Sequence, residues 1–246
     1  MAHCTMKKIT VFIVAVFLIA LIFAGCDTGK SSVTLGNVLI LGDSYSTFEG
    51  HIPEGYPSFY TEYTSDCGVH SYKRTWWHKL IEKTGSSLLL NSSYSGSTLC
   101  HTGYYGDDYS EISFAARLDK LVEGGFFTDN KVDTLVILGG LNDYWAESPL
   151  GEIKYEGFTE EELYKVYPAF AYILSRVKEA SPETRIIYVS EEYLPDDMKA
   201  DMREICDHYG AETVEIHDIS KMNGHPDRAG MEAIAGQVIE YLEKSK

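Results

Sequence analysis

Five short apolar runs recur along the chain and constrain its architecture more than any other feature: NVLILGDS (37–44), SSLLLNSS (86–93), DTLVILGG (133–140), TRIIYVS (184–190) and AETVEIHD (211–218). Most are continuous rather than alternating, which is the pattern of strands covered on both faces, as in a parallel sheet. Parallel neighbours need crossovers, and helical patterns stand between the runs. YKRTWWHKLIEKTG (72–85) supplies the first helix. In SEISFAARLDKLVEGG, Ile112, Ala115, Leu118 and Val122 share a stripe that ends in a glycine stop. In TEEELYKVYPAFAYILSRVKEA the stripe is Leu163, Val166, Phe170, Ile173, Leu174 and Val177, with Pro168 kinking or restarting the helix. The last helix, DRAGMEAIAGQVIEYLEK, buries Met231, Ile234, Val238, Ile239 and Leu242. The expectation is a single α/β domain over residues 37–246, a three-layer α/β/α sandwich with about five parallel strands.

The first 25 residues read as an export signal instead of a part of the fold. Lys7 and Lys8 precede the apolar stretch VFIVAVFLIALIFA (11–24), which is short for a transmembrane helix and ends in small residues. The cysteine that follows, Cys26, resembles the lipid-bearing first residue of a mature bacterial lipoprotein. Residues 26–36, small and polar, then read as a tether. The chain is thus expected to be exported to the cell envelope, touching the membrane only through its N-terminal lipid.

The net charge of −16 disfavours nucleic acid, an anionic membrane surface and polyanionic substrates as partners. Cys67, Cys100 and Cys206 remain after Cys4 and Cys26 are set aside. In an oxidising compartment Cys67–Cys100 is the expected pair, since both fall in loops, while Cys206 in DMREICDHYG reads as a buried helix residue. No CxxC or HExxH spacing occurs, so neither metal nor cofactor is indicated.

Ligands of open parallel sheets bind at the carboxyl ends of the strands, and four unusual segments fall there. Strand one ends in Asp43-Ser44, strand two runs into SYSGST (93–98), strand three ends in GGLNDYW (139–145), and NGHPDRAG (223–230) precedes the last helix. A serine hydroxyl needs a base to become a nucleophile, and His225 is the candidate. Pro226 forces His225 into an extended conformation and is read as opening the following helix. Between strand one and the first helix, residues 45–71 form a long loop without helical period. It holds six aromatic residues, which argue for order over the site.

Taken together, GDS, the SGST segment, GGLND and NGHP, in this order across the mature chain, resemble the SGNH hydrolases, the GDSL-type esterase and lipase family. The resemblance implies the flavodoxin-like fold of that family and acyl-ester hydrolysis without a cofactor. Ser44 becomes the nucleophile and His225 the base. The oxyanion donors become the backbone N–H groups of Ser44 and Gly96 and the side-chain amide of Asn142. One part departs from the family pattern: the aspartate three residues before the histidine is replaced by Met222, whose thioether is a poor acceptor. Three groups could stand in: a backbone carbonyl near Met222, giving a Ser–His dyad; Asp218, at the end of strand five; or Asp227, which is expected to point away. The carbonyl is favoured, then Asp218.

The expected substrate is a carboxylic ester, acetyl above all, carried on a glycan. Tyr104, Tyr105, Tyr144 and Trp145 flank the oxyanion segments and offer flat faces for a sugar. The alternatives are a lysophospholipase or thioesterase of the same family, and a surface glycan-binding protein on a hydrolase scaffold that has lost activity.

Overall fold

The computed structural model describes residues 31–63 and 67–245. The signal segment expected over 1–25 and the expected lipid site, Cys26, lie outside the described residues. The five apolar runs become five strands, β1 (Asn37–Gly42), β2 (Ser87–Ser93), β3 (Thr134–Leu138), β4 (Arg185–Ser190) and β5 (Glu212–Glu215). All pair in parallel, in the order β2-β1-β3-β4-β5. Every residue of β3 is buried, as a strand covered on both faces requires.

Among the described residues, seven helices supply the crossovers and caps: α1 (Trp76–Thr84), α2 (Phe114–Glu123), α3 (Phe126–Asp129), α4 (Leu141–Trp145), α5 (Val166–Ala180), α6 (Asp196–Tyr209) and α7 (Arg228–Lys244). α1 packs against α7, while α5 packs against both α2 and α6, which completes the expected three layers. Pro168 lies in the first turn of α5, where its missing N–H costs no helical bond. The preceding 3₁₀ turn, Glu160–Tyr164, is closed by a capping box between Thr159 and Glu162. The proline therefore restarts a helix and kinks none.

Three expectations change. Of the segment expected as a tether (26–36), Val33 and Leu35 are buried in the core, and the Leu35 carbonyl accepts the Thr134 hydroxyl at 2.7 Å. Cys67 and Cys100 are not bonded: all three described cysteines are free and buried. Cys67 sits against the start of α7, its carbonyl accepting the Arg228 N–H at 2.9 Å, while the Cys100 N–H is held by Asp143. Pro226 does not open the last helix. It belongs to a two-stranded hairpin, β6 (Lys221–Met222) and β7 (His225–Pro226), and α7 begins at Arg228 with Asp227 as its cap.

Among the described residues no helix is long and apolar enough to cross a membrane.

Candidate active site

β1 is the switch point of the sheet, with the chain passing to β2 on one side and β3 on the other. Clefts open above the carboxyl end of such a strand, and Ser44 stands there. The chain turns sharply after β1 into a 3₁₀ turn, Ser44–Ser46, capped by the Asp43 carboxylate, which accepts the Tyr45 N–H at 2.9 Å. Gly42 is demanded by crowding: a Cβ there would lie 2.5 Å from the Ser46 side chain and 2.6 Å from the Ser93 hydroxyl. The turn is pinned from below at Ser46. Its carbonyl accepts from the Trp77 indole and the Asn91 amide, and its hydroxyl from the Trp76 indole.

His225 arrives on the β6–β7 hairpin. The two residues at its tip, Asn223 and Gly224, have φ of 53° and 78°. Positive φ at both central positions is what a two-residue hairpin turn asks for, and Asn-Gly is the pair best suited to it. The His225 Nε2 lies 3.0 Å from the Ser44 Oγ, and its Nδ1 lies 3.2 Å from the Asn223 carbonyl oxygen. A carbonyl only accepts, so Nδ1 carries the proton and Nε2 presents its lone pair to the serine hydroxyl.

Asp218 is not brought to the imidazole. It is exposed and its carboxylate faces the neighbouring His217 ring at 3.0 Å. Its backbone is left-handed (φ 54°), three residues beyond the end of β5. Asp227 is committed elsewhere, with one oxygen on the Gly230 N–H and the other on the Ser220 hydroxyl. Met222 faces His225 across the hairpin and is 42% exposed.

The hairpin is fixed by groups that the sequence patterns did not reveal. Tyr45, next to the serine, donates its hydroxyl to the Gly224 carbonyl at 2.7 Å, and Tyr60 donates to the Pro226 carbonyl at 2.7 Å. The Phe59 ring lies parallel to the imidazole, with centroids 3.4 Å apart and planes within 7°. Lys221 on β6 pairs with the buried Glu191 at the end of β4, at 3.1 Å. Burial holds the His225 imidazole below its ordinary pKa. The Asn223 carbonyl opposes this and the Lys221 charge adds to it.

Gly96 sits in a turn closed by the Ser97 N–H on the Tyr94 carbonyl at 3.2 Å, with φ of 85°. The carbonyl of Ser97 accepts the Asn142 Nδ2 at 3.0 Å, so the second and third segments meet. Asn142 lies in the first turn of α4 beside Asp143, whose buried carboxylate accepts the N–H groups of Leu99 and Cys100 at 2.8 and 3.2 Å. Burial pushes the carboxyls of both Asp43 and Asp143 up to about 7. Beneath the segments lies Arg117, wholly buried. It donates to the carbonyls of Gly42, Ser92 and Ile112 and to the Ser97 hydroxyl. One cation thereby ties the ends of β1 and β2 to the Gly96 turn. Its amphipathic helix gave no hint of this, because it reads as an outward charge.

A hydroxyl paired with an imidazole at the switch point of a parallel sheet defines a class, the hydrolases that attack acyl carbon through serine. Residues 36–242 match the family model described as GDSL-like lipase/acylhydrolase, and the chain belongs to this SGNH, or GDSL-type, family of carboxylic-ester hydrolases. Two crystal structures of proteins classed as GDSL-like lipases are similar to it. The one from Bacteroides ovatus is 41% identical with a TM-score of 0.79, covering 86% of this chain and 99% of its own. The one from Bacteroides uniformis is 40% identical with a TM-score of 0.78, covering 85% and 96%. A family two carbohydrate esterase from Clostridium thermocellum shares the fold at 15% identity and a TM-score of 0.56, over 87% of this chain and 64% of its own. No curated protein matches the chain.

Proposed function

We propose that the chain removes small acyl groups, acetyl above all, from a carbohydrate ester by a Ser44–His225 dyad. The observation that carries this is the imidazole held between two partners: Nδ1 on the Asn223 carbonyl and Nε2 3.0 Å from the Ser44 Oγ. In the first step Nε2 takes the hydroxyl proton as Oγ attacks the acyl carbon. The N–H groups of Ser44 and Gly96 and the Asn142 amide receive the oxyanion, and a donor of this kind is worth about 10²–10³ in turnover. The imidazolium then protonates the leaving alcohol. Water, deprotonated by the same nitrogen, releases the acid and restores the serine.

Support for a short acyl group and a sugar comes from the surroundings. Two clefts of about 560 and 550 Å³, one between Pro149 and Pro168 and one within residues 49–58, and a third of about 480 Å³ against Met222 and Asp227, are lined by neither Ser44 nor His225, so none of the three opens on the dyad. Tyr105, Tyr144 and Trp145 are exposed beside the Asn142 segment, where flat rings can stack on a pyranose. The carbohydrate esterase of like fold is consistent with this. The export signal and the lipid on Cys26 belong to the same proposal, and loss of fatty-acid labelling in Cys26→Ala tests them.

The test is hydrolysis of p-nitrophenyl acetate, butyrate and octanoate beside acetylated oligosaccharides, with Ser44→Ala as control. Acetyl preference, abolished in Ser44→Ala, is the expected result. Octanoyl preference moves the assignment to a lysophospholipase or thioesterase. Failure of a fluorophosphonate probe to label Ser44 leaves only a binding protein.

A further inference from the structure

Asn142 is gripped at both ends of its amide. Its Nδ2 donates to the Ser97 carbonyl at 3.0 Å, and its Oδ1 accepts the Tyr104 hydroxyl at 2.7 Å. We propose that Tyr104 is a positioning residue for hydrolysis, whose hydroxyl holds the Asn142 amide in the place and plane from which its free N–H meets the acyl oxygen. This rests on the oxyanion role proposed for Asn142 above.

A side-chain amide carries two N–H donors and one acceptor. With one N–H on Ser97 and the oxygen on Tyr104, a single N–H is left for an oxyanion. Turned over, the amide would set its oxygen against the Ser97 carbonyl, two acceptors face to face. The Ser97 carbonyl therefore chooses the orientation, and Tyr104, whose hydroxyl can donate or accept, anchors the amide in place. A donor on Oδ1 also polarises the amide and strengthens its N–H groups, as linked hydrogen bonds do.

The backbone presents Tyr104 for this task. It lies in a tight loop where the Gly103 N–H bonds the Asp107 carbonyl at 2.8 Å and the Asp107 N–H bonds the Tyr104 carbonyl at 3.1 Å. The next residue, Tyr105, is left-handed at φ 61° and 99% exposed. This conformation is uncommon for a residue with a side chain. The loop thus parts two adjacent tyrosines, one ring to water and the other half-buried against Asn142. Burial pushes the Tyr104 phenol up to about 12, so it stays a donor throughout the neutral range. Of the four aromatics expected to stack on sugar, Tyr104 is the one whose polar end is committed to the site.

The experiment is a cycle of full-length chains: wild type, Tyr104→Phe, Asn142→Ala and the double variant, assayed on p-nitrophenyl acetate and checked for equal thermal unfolding. Phenylalanine keeps the ring, so any stacking survives while the bond to Asn142 is lost. We expect Tyr104→Phe to lower kcat about tenfold, the size of one ordinary hydrogen bond, with KM within about twofold. In the Asn142→Ala background the same change should cost nothing further, because its route of action is gone. An unchanged kcat in Tyr104→Phe, or losses that multiply in the double variant, overturns the assignment to Tyr104 while leaving the dyad intact. Full activity in Asn142→Ala overturns the oxyanion role beneath it and Tyr104 with it.

Discussion

Replacing Met222 by aspartate should raise the pKa of His225 and speed hydrolysis, but only modestly. Met222 and His225 are register partners across the hairpin. Such residues rise from one face with Cβ atoms about 4.5–5.5 Å apart, so a carboxylate at 222 comes within reach of Nδ1. Unit charges about 4 Å apart attract by about 4 kcal/mol at an effective dielectric of about 20. Position 222 is 42% exposed, and water reduces this to the order of 1 kcal/mol, the upper end for a surface pair. That corresponds to about one pKa unit on the imidazolium and up to about tenfold in kcat. The tautomer contributes nothing to the gain, because the Asn223 carbonyl already selects it. The assay is the pH dependence of p-nitrophenyl acetate hydrolysis in wild type, Met222→Asp and the neutral control Met222→Asn. The acid limb should move up by about one unit in Met222→Asp alone. A gain near the 10⁴-fold cost of the wrong tautomer in serine proteases would refute the view that a carbonyl suffices. An unmoved limb would refute the geometry.

Three further outcomes are expected. Because the base must be neutral and its pKa is held down by burial, kcat/KM of the wild type should fall only below about pH 6.5, the ordinary histidine value; a midpoint above 7 would mean that a nearby carboxylate pairs with the ring. Phe59→Leu, which removes a ring stacked 3.4 Å from the imidazole, should cost about 1 kcal/mol of orienting contact and lower kcat about fivefold, measurable on the same ester. Arg117→Met takes the guanidinium from the Ser92 and Ile112 carbonyls, while the Gly42 carbonyl keeps the Tyr94 N–H and the Ser97 hydroxyl keeps the Tyr94 carbonyl; at about 1–3 kcal/mol for each buried orphan it should lower stability by at least about 2 kcal/mol in urea unfolding, and a loss under about 1 kcal/mol would show that water replaces the guanidinium.

The strands were legible because a sheet covered on both faces writes itself as unbroken apolar runs, as VLIL and TLVIL do. The serine and the segments that hold Gly96 and Asn142 were legible because they sit at the ends of those runs. The histidine hairpin was not. Its strands are two residues each, too short to show alternation, and Pro226 carried a second meaning as a helix opener. The Asn-Gly pair was the available signal, a turn formula in its own right. Arg117 illustrates a different limit. Whether a charge on an amphipathic helix is buried depends on acceptors from β1, β2 and the Gly96 turn converging on it, and no local pattern encodes that convergence. The cysteines fail for a related reason, since loop membership says nothing of which loops face each other. Asp218 was attractive by its place at the end of strand five, but its carboxylate lies beside the His217 ring and not at His225.

The Tyr45 hydroxyl on the Gly224 carbonyl has a consequence for how this site tolerates change. Ser44 and Tyr45 are joined by a peptide bond, as are Gly224 and His225, and two hydrogen bonds close the circuit between the pairs. Ser44 and His225 thus set each other's spacing through a ring only four residues around. Surface loops that meet the substrate can be lengthened, exchanged or reshaped without retuning that spacing, so new specificities can be grafted around a reactive centre that keeps its own measure.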